Sequence, residues 1–349
     1  MRVNLKDVAQ LAGVSVATAS LALNNKGASK ETIERVMAAA KKLNYVQNSL
    51  GRSLITGRSY TIALYILNDR DNPDLTGECT YFYPFMRGIL GEAEKAGYAL
   101  SFAVKLWDDA EKRNVLVQSA QNKSCDGMII VPQYTHPYSF LPDLERLKFP
   151  YVMVNPSTSF DRGKSVSLDN YAGAAAATQH LLESGCRKPA YINGSENHFD
   201  AVVRKQAFLD VTSRAGLEIG EDSLVNGNFT TSSGATAMKE LLRRGADFDG
   251  IFCANDYMAA GAMNVLLEAG YRIPEDVQMI GFDDTEIARS MRPGLTTVHN
   301  PTFQIGVQAM RRLLAYIADP NYVAGEKLFQ AELVIRDSTR KSVPFPTKI

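Results

Sequence analysis

Long apolar runs, metal-ligand clusters and nucleophile signatures are all missing from these 349 residues, and each absence removes a class of function. No stretch of 18 apolar residues occurs, so no transmembrane helix is expected. The opening MRVNLKDVAQ has no apolar signal core, which points away from export. The four cysteines, Cys79, Cys125, Cys186 and Cys253, show no CxxC spacing, and there are only four histidines, so no metal site is expected. Scattered free thiols suit a reducing cytoplasm. G-x-S-x-G, G-x-x-x-x-G-K-[ST] and H-E-x-x-H are absent, which removes the usual hydrolase, P-loop and zinc-protease signatures. No cofactor is expected.

Net charge is also lacking, with 38 Lys and Arg against 38 Asp and Glu, but the balance hides an asymmetry. Residues 1–58 hold nine basic and three acidic side chains, a surplus of +6; residues 59–349 hold 29 and 35, a deficit of −6. A basic head on an acidic body is the footprint of a nucleic-acid-binding module joined to a domain that does not bind it. Hydrophobic residues at 45% and charged residues at 22% fit an ordinary globular chain, and the length suits two or three domains.

The head reads as a helix–turn–helix over Leu5–Asn24. A first helix is expected from about Leu5 to Leu11, with Asp7 in its first turn, where a carboxylate suits the helix dipole. Ala12-Gly13-Val14 makes the turn and Ser15 caps a second helix near Thr18. Val8, Leu11, Val14, Ala19 and Leu23 fall at positions that would pack the two together. Ser15, Val16, Ala17, Thr18 and Ser20 then face outward; small and hydroxyl-bearing side chains suit a helix entering the major groove. Asn24 opens the following turn. Ser29 starts a third helix to Leu43, with Ile33, Val36, Met37, Ala40 and Leu43 on its apolar face.

From residue 61 the pattern alternates. Apolar runs at 61–67, 98–104, 127–131, 151–154, 165–168, 189–192, 250–254 and 277–282 are separated by amphipathic stretches, several ending in Gly. This predicts parallel sheets covered on both faces, in two Rossmann-like units. Polar residues follow the runs: Asn68-Asp69, Gln133, Asn155, Asn193, Asn255-Asp256 and Asp283-Asp284. Ligands bind outside the carboxyl ends of such strands, and amides with carboxylates suit a polyhydroxy ligand. The same residue types also serve as helix N-caps, and both readings stand for Asn68, Gln133 and Asn193.

VAQLAGVSVATASLALN (8–24) resembles the opening of the LacI/GalR family of bacterial transcription regulators. The resemblance continues through VVRKQAFLDV (202–211), CANDYMAAGAM (253–263) and PEDVQMIGFDDTEIARSMRPGLTT (274–297). It implies a small all-α helix–turn–helix headpiece plus an α/β periplasmic-binding-protein-like core of two Rossmann-like subdomains. Headpiece residues 1–47 would be followed by a hinge helix and linker, 48–60, an effector-binding and dimerisation core, 61–340, and a tail, 341–349. Within the core, the N-subdomain would hold 61–162 and 293–324, and the C-subdomain 163–292 and 325–340. The implied DNA contacts add Leu5, Leu21, Asn24, Tyr45, Asn48 and a minor-groove wedge, Leu54, whose alternative is a buried linker residue. Leu21 replaces the family's usual Arg and Ala19 its Val; Gln47 stands where Pro is frequent, and Gly51 where a helix former is expected.

In the core, the resemblance turns Arg204, Asn255 and Asp283 toward an effector, with Asn155 at another strand end. Asp284 would cap the next helix. Phe229 would stack on a ligand ring, with core packing as its alternative, and the stretch Tyr81–Phe85 would be a loop able to wall the cleft. The implied function is a cytoplasmic repressor, a homodimer on double-stranded operator DNA, controlled by a small effector of carbohydrate type, with no membrane partner. A solute-binding receptor or a sugar-acting enzyme on the same core is the alternative. Neither explains the basic head, and adjacent carboxylates such as Asp283-Asp284 do not make a glycosidase pair.

Deleting residues 1–58 should abolish DNA binding and leave a folded core; retention of salt-sensitive DNA binding by residues 59–349 in a mobility-shift titration would contradict the assignment.

Overall fold

The computed structural model describes residues 3–24, 26–45, 53, 56–68, 82–106, 110–134, 138–157, 162–325 and 327–341. The head folds as three helices, α1 (Leu5–Ala12), α2 (Val16–Leu23) and α3 (Lys30–Lys42). Local chemistry fixes each start. The Asn4 side chain accepts from the Lys6 and Asp7 amides, and Asp7 Oδ2 accepts from the Asn4 amide at 2.9 Å, a reciprocal cap. Ser15 Oγ accepts from the Thr18 amide at 3.0 Å, and Ser29 Oγ from the Thr32 amide at 3.3 Å. Gly13, at φ +66°, takes the left-handed turn between α1 and α2.

The headpiece core is made of Val8, Ala9, Ala12, Ala19, Ala22, Val36, Ala39 and Ala40, with Val14, Leu23, Ile33 and Leu43 against it. Two expected core positions are corrected. Leu11 is 45% exposed and Met37 52% exposed. Leu11 sits about 100° round α1 from Ala12, and alanines take the inward positions because three short helices approach closely.

The body contains two parallel sheets. The first has the order β11-β5-β4-β3-β1-β2, from β1 (Thr61–Asn68), β2 (Ala99–Leu106), β3 (Gly127–Pro132), β4 (Tyr151–Val154), β5 (Ser165–Leu168) and β11 (Lys327–Phe329). Its helices are α4 (Phe82–Lys95), α5 (Ala110–Gln121), α6 (Leu141–Arg146) and α12 (Thr302–Ala318). The second sheet has the order β7-β6-β8-β9, from β6 (Pro189–Asn193), β7 (Leu224–Asn226), β8 (Gly250–Cys253) and β9 (Gln278–Ile280). Helices α7 (Asn170–Glu183), α8 (Phe199–Arg214), α9 (Thr231–Arg244) and α10 (Asp256–Glu268) cover it, and α11 (Glu286–Ser290) follows β9. The strands are buried apolar runs, as parallel sheets with two covered faces require.

The chain passes between the lobes three times, and the expected crossing points are corrected. Residues 165–168 pair with β4 and β11, so the first crossing follows Leu168 and not residue 162. The return runs through β10 (Thr297–His299), which pairs antiparallel with β12 (Glu332–Val334), so it lies beyond residue 292. Lys327–Phe329 still belong to the first sheet, so the last crossing comes after 329 and not at 324. Phe82 begins α4, so Phe82–Phe85 are helical where a loop was expected; Tyr81 lies outside the described residues. The described end of the linker is tied to the first lobe: Asp126 accepts from the Ser59 amide and hydroxyl and from the Tyr60 amide.

Helix pairs close through glycine. A Cβ on Gly88 would overlap the Phe303 carbonyl of α12, and one on Gly306 would overlap the Phe85 carbonyl of α4, whereas Gly91 of α4 faces open space. Gly88→Ala should lower stability by about 1–3 kcal/mol through overpacking. Gly91→Ala should be neutral or raise it by up to about 1 kcal/mol, since only the helix-propensity gain remains. Equal effects of the two in urea unfolding would contradict this packing.

Candidate effector cleft and DNA-facing helix

Helix α2 turns Ser15, Val16, Ala17 and Leu21 outward, with Val16 42% and Leu21 38% exposed. Thr18 and Ser20 are half-buried. Ser15 and Thr18 hydroxyls lie 2.8 Å apart, and Asn24 Nδ2 donates to the Ser20 carbonyl at 2.7 Å, closing the helix. Leu5 and Tyr45 pack against the headpiece core and present only part of their surface. Asn48, Leu54, Gln47 and Gly51 lie outside the described residues.

Between the lobes lies a cleft of about 830 Å³, including its open mouth. The five side chains singled out from sequence, Asn155, Arg204, Phe229, Asn255 and Asp283, all line it. So do Phe82, Phe85, Gln133, His198, Asp200 and Ile305.

Arg204, on α8, is 2% exposed and holds the polar floor together. Its Nε donates to Asn170 Oδ1 at 2.9 Å and its Nη1 to the Ala254 carbonyl at 2.6 Å. Nη2 stands 3.6 Å from Asp283 Oδ1 and 3.9 Å from Asp200 Oδ2, and the guanidinium stacks 3.6 Å from the centre of the Phe282 ring. Asp200 Oδ1 accepts from Asn170 at 3.0 Å, and Asp283 Oδ1 from Asn300 at 3.1 Å. Burial raises both carboxyls above the ordinary aspartate value, and Arg204 offsets only part of this.

Two of the five N–H groups of Arg204, on Nε and Nη1, are thus spent on Asn170 and the Ala254 carbonyl within the second lobe. Asn255 is similarly committed. Its Oδ1 caps α10 by accepting from the Met258 amide at 2.9 Å, and its Nδ2 donates to the Phe229 carbonyl at 2.9 Å. The capping and binding roles meet in one residue: Asn255 fixes Phe229, whose φ is +70°. Phe229 fits because position 194 is glycine; a Cβ there would overlap its ring.

Asp284 does not cap α11, whose N-cap is Thr285. It joins an ion cluster instead, accepting from Arg289 at 2.8 Å, from Arg336, and from His299 Nδ1 at 3.1 Å. Burial alone would raise its carboxyl, but the hydrogen bonds from Arg289 and Arg336 outweigh it and hold the group low.

Asp200 and His198 carry no motif and escape sequence reasoning; the only trace is that Asp200 precedes Arg204 by one helical turn. They sit where the lobes touch. The Phe199 amide donates to the Gln133 carbonyl at 2.9 Å, Tyr134 and His198 form an isolated bridge, and Asn155 and Asp200 both line the cleft from opposite lobes. Burial pushes the His198 imidazole down to about 3, so it is neutral near pH 7. His198 Nδ1 and Gln133 Oε1 are buried with no partner among the described residues, at a cost of about 1–3 kcal/mol each. Asn68 accepts from the Tyr134 hydroxyl at 3.1 Å and Asn193 donates to Asn226 at 3.3 Å; neither lines this cleft.

Residues 4–48 match bacterial regulatory proteins of the lacI family, and residues 178–339 match a periplasmic binding protein-like domain. The ribose operon repressor of Halalkalibacterium halodurans is 33% identical over 339 residues, covering 96% of this chain and 97% of its own. A probable HTH-type transcriptional repressor of Bacillus subtilis, ExuR, is 30% identical over 340 residues, covering 97% and 99%. The solved complex of the transcriptional regulator CelR with cellobiose superposes with a TM-score of 0.71 at 30% identity, covering 97% of this chain and all of that one. No helix among the described residues is long and apolar enough to cross a membrane.

Behind the cleft, Asp256 is fully buried and accepts from the Thr285 amide, the Thr285 hydroxyl and the Thr297 hydroxyl. Burial, then the neighbouring Asp283, pushes its carboxyl up from 3.8 to about 7. A group raised on folding keeps its contribution at low pH and loses it as pH rises toward the folded value, because the unfolded chain releases the proton first. Asp256→Asn should therefore flatten the fall in Tm between pH 4 and 7 relative to the parent; an unchanged pH slope would contradict the shift.

Proposed function

We propose that this chain, which belongs to the lacI family of bacterial regulatory proteins, is a homodimeric transcription repressor in the cytoplasm. A small carbohydrate effector, bound between the two lobes, sets its affinity for operator DNA. One observation carries the reading: an outward-facing helix–turn–helix is joined to a two-lobed body whose cleft combines buried carboxylates with aromatic walls. Similarity to a ribose operon repressor and to CelR, solved in complex with cellobiose, supports the choice of a sugar.

Helix α2 with Ser15, Val16, Ala17, Thr18, Ser20 and Leu21 enters the major groove, and Asn24 and Tyr45 lie beside the backbone. Asn48 and Leu54 serve the backbone and the minor groove. With Leu21 in place of the family's usual Arg, the contact there is apolar, and the preferred operator shifts accordingly. Two copies pair through the first lobe, where Tyr83 and Leu90 of α4 and Phe303 of α12 are exposed large hydrophobic side chains. The effector is held and not turned over. Asp283 accepts its hydroxyls, Phe229 stacks against its ring, and Asn155 meets it from the first lobe. Asn255 acts through Phe229, and Arg204 through the two carboxylates it holds in place.

Binding changes DNA affinity only as far as the ligand prefers one lobe arrangement over another. Gln133 Oε1 belongs to the first lobe and His198 Nδ1 to the second, so a ligand that hydrogen-bonds both favours closure. Footprinting on a palindromic site, with and without effector, tests the whole reading; an unsymmetrical footprint indifferent to salt would sink it. Asp283→Ala should weaken effector binding by about 1.5–3 kcal/mol, more than tenfold, and leave effector-free operator binding intact. Wild-type effector affinity in that variant would place the ligand elsewhere.

A further inference from the structure

We infer that the cleft takes a ligand bearing hydroxyls and no negative charge, and that Asp200 sets this selectivity by sharing one guanidinium with Asp283. This rests on the reading of the cleft as a carbohydrate site and adds the charge class of the sugar. Arg204 is the single cationic side chain among the described residues that line the cleft. Gripping a carboxylate or phosphate in two places requires two parallel N–H groups on one edge of the guanidinium. Here Nε points to Asn170, Nη1 to the Ala254 carbonyl, and Nη2 lies between Asp283 and Asp200, at 3.6 and 3.9 Å. An anion approaching Nη2 therefore also meets the carboxylates of Asp283 and Asp200.

Among the described residues, the remaining cleft groups supply no positive charge. His198 is buried and neutral, and Gln133 offers a carbonyl oxygen without a partner. Carboxylates and carbonyl oxygens accept hydrogen bonds, and sugar hydroxyls provide the donors. Phe82, Phe85 and Ile305 from the first lobe and Phe229 from the second give apolar walls for the faces of a sugar ring. Asp200 accepts from Asn170 in its own lobe and shares the cleft lining with Asn155 of the other lobe, so charge selection and closure use the same side chain.

The test is isothermal titration of the full chain with glucose, galactose, ribose and cellobiose, each beside its sugar acid and its phosphate ester. At least one neutral sugar should bind, with its acid and its ester weaker by about tenfold or more, the scale of one unbalanced charge in a partly buried site. Asp200→Asn, and Asp200→Ser as a second variant, should narrow that gap by raising affinity for the anions. An acid or ester that binds wild type as tightly as its neutral parent, or a gap untouched in a folded variant, overturns the selectivity and leaves the sugar site standing. Binding of no compound in any class overturns the sugar reading and this inference together.

Discussion

A buried guanidinium must be paired, and the cleft is arranged around how Arg204 meets that demand. A lone charge in so dry a place would cost several kcal/mol. Arg204 meets the demand by binding Asn170 at the head of α7, the Ala254 carbonyl at the end of β8, and the carboxylates of Asp283 after β9 and Asp200 at the head of α8. Four strand and helix ends of the second lobe are thereby held to one point. The carboxylates face the cleft as a consequence, so the groups that secure the lobe are also the groups a ligand would meet.

The first lobe enters through Asp200. Across the cleft Asp200 faces Asn155, and the Gln133–Phe199 bond and the Tyr134–His198 bridge join the lobes beside it. On the far side, Asp284 gathers Arg289, Arg336 and His299, binding crossing strand β10 and the segment after β12 to the second lobe. The described end of the linker is anchored to the first lobe by Asp126. Rotation of one lobe against the other therefore moves the origin of the DNA-binding head.

Much of this was legible in the sequence because its causes are local. Every apolar run singled out became a strand, Ser15 and Ser29 took the capping positions expected of them, and Asp7 lies in the first turn of α1. The strands missed, β7, β10, β11 and β12, have three residues each and polar members, and they exist because a neighbour pairs with them. The same reason misplaced residues 165–168: their strand character is local, but the lobe they join depends on the register with β4 and β11. In the cleft, the resemblance located Arg204, Asn255 and Asp283 without revealing how fully Arg204 and Asn255 are committed. Asp200 and His198 were silent because burial and opposition across the lobes give them their character, and no local spacing encodes either.

Linkage between the two sites is the account's central claim, and its reciprocity is open to direct measurement. Operator affinity is measured with and without saturating effector, and effector affinity is measured with and without saturating operator, on the same protein at one salt concentration. If the cleft and the head share one equilibrium, both ratios must equal the same factor. A factor well away from one, equal in both directions, is the predicted result; two ratios of one would show that the ligand in the cleft does not govern the DNA-binding head.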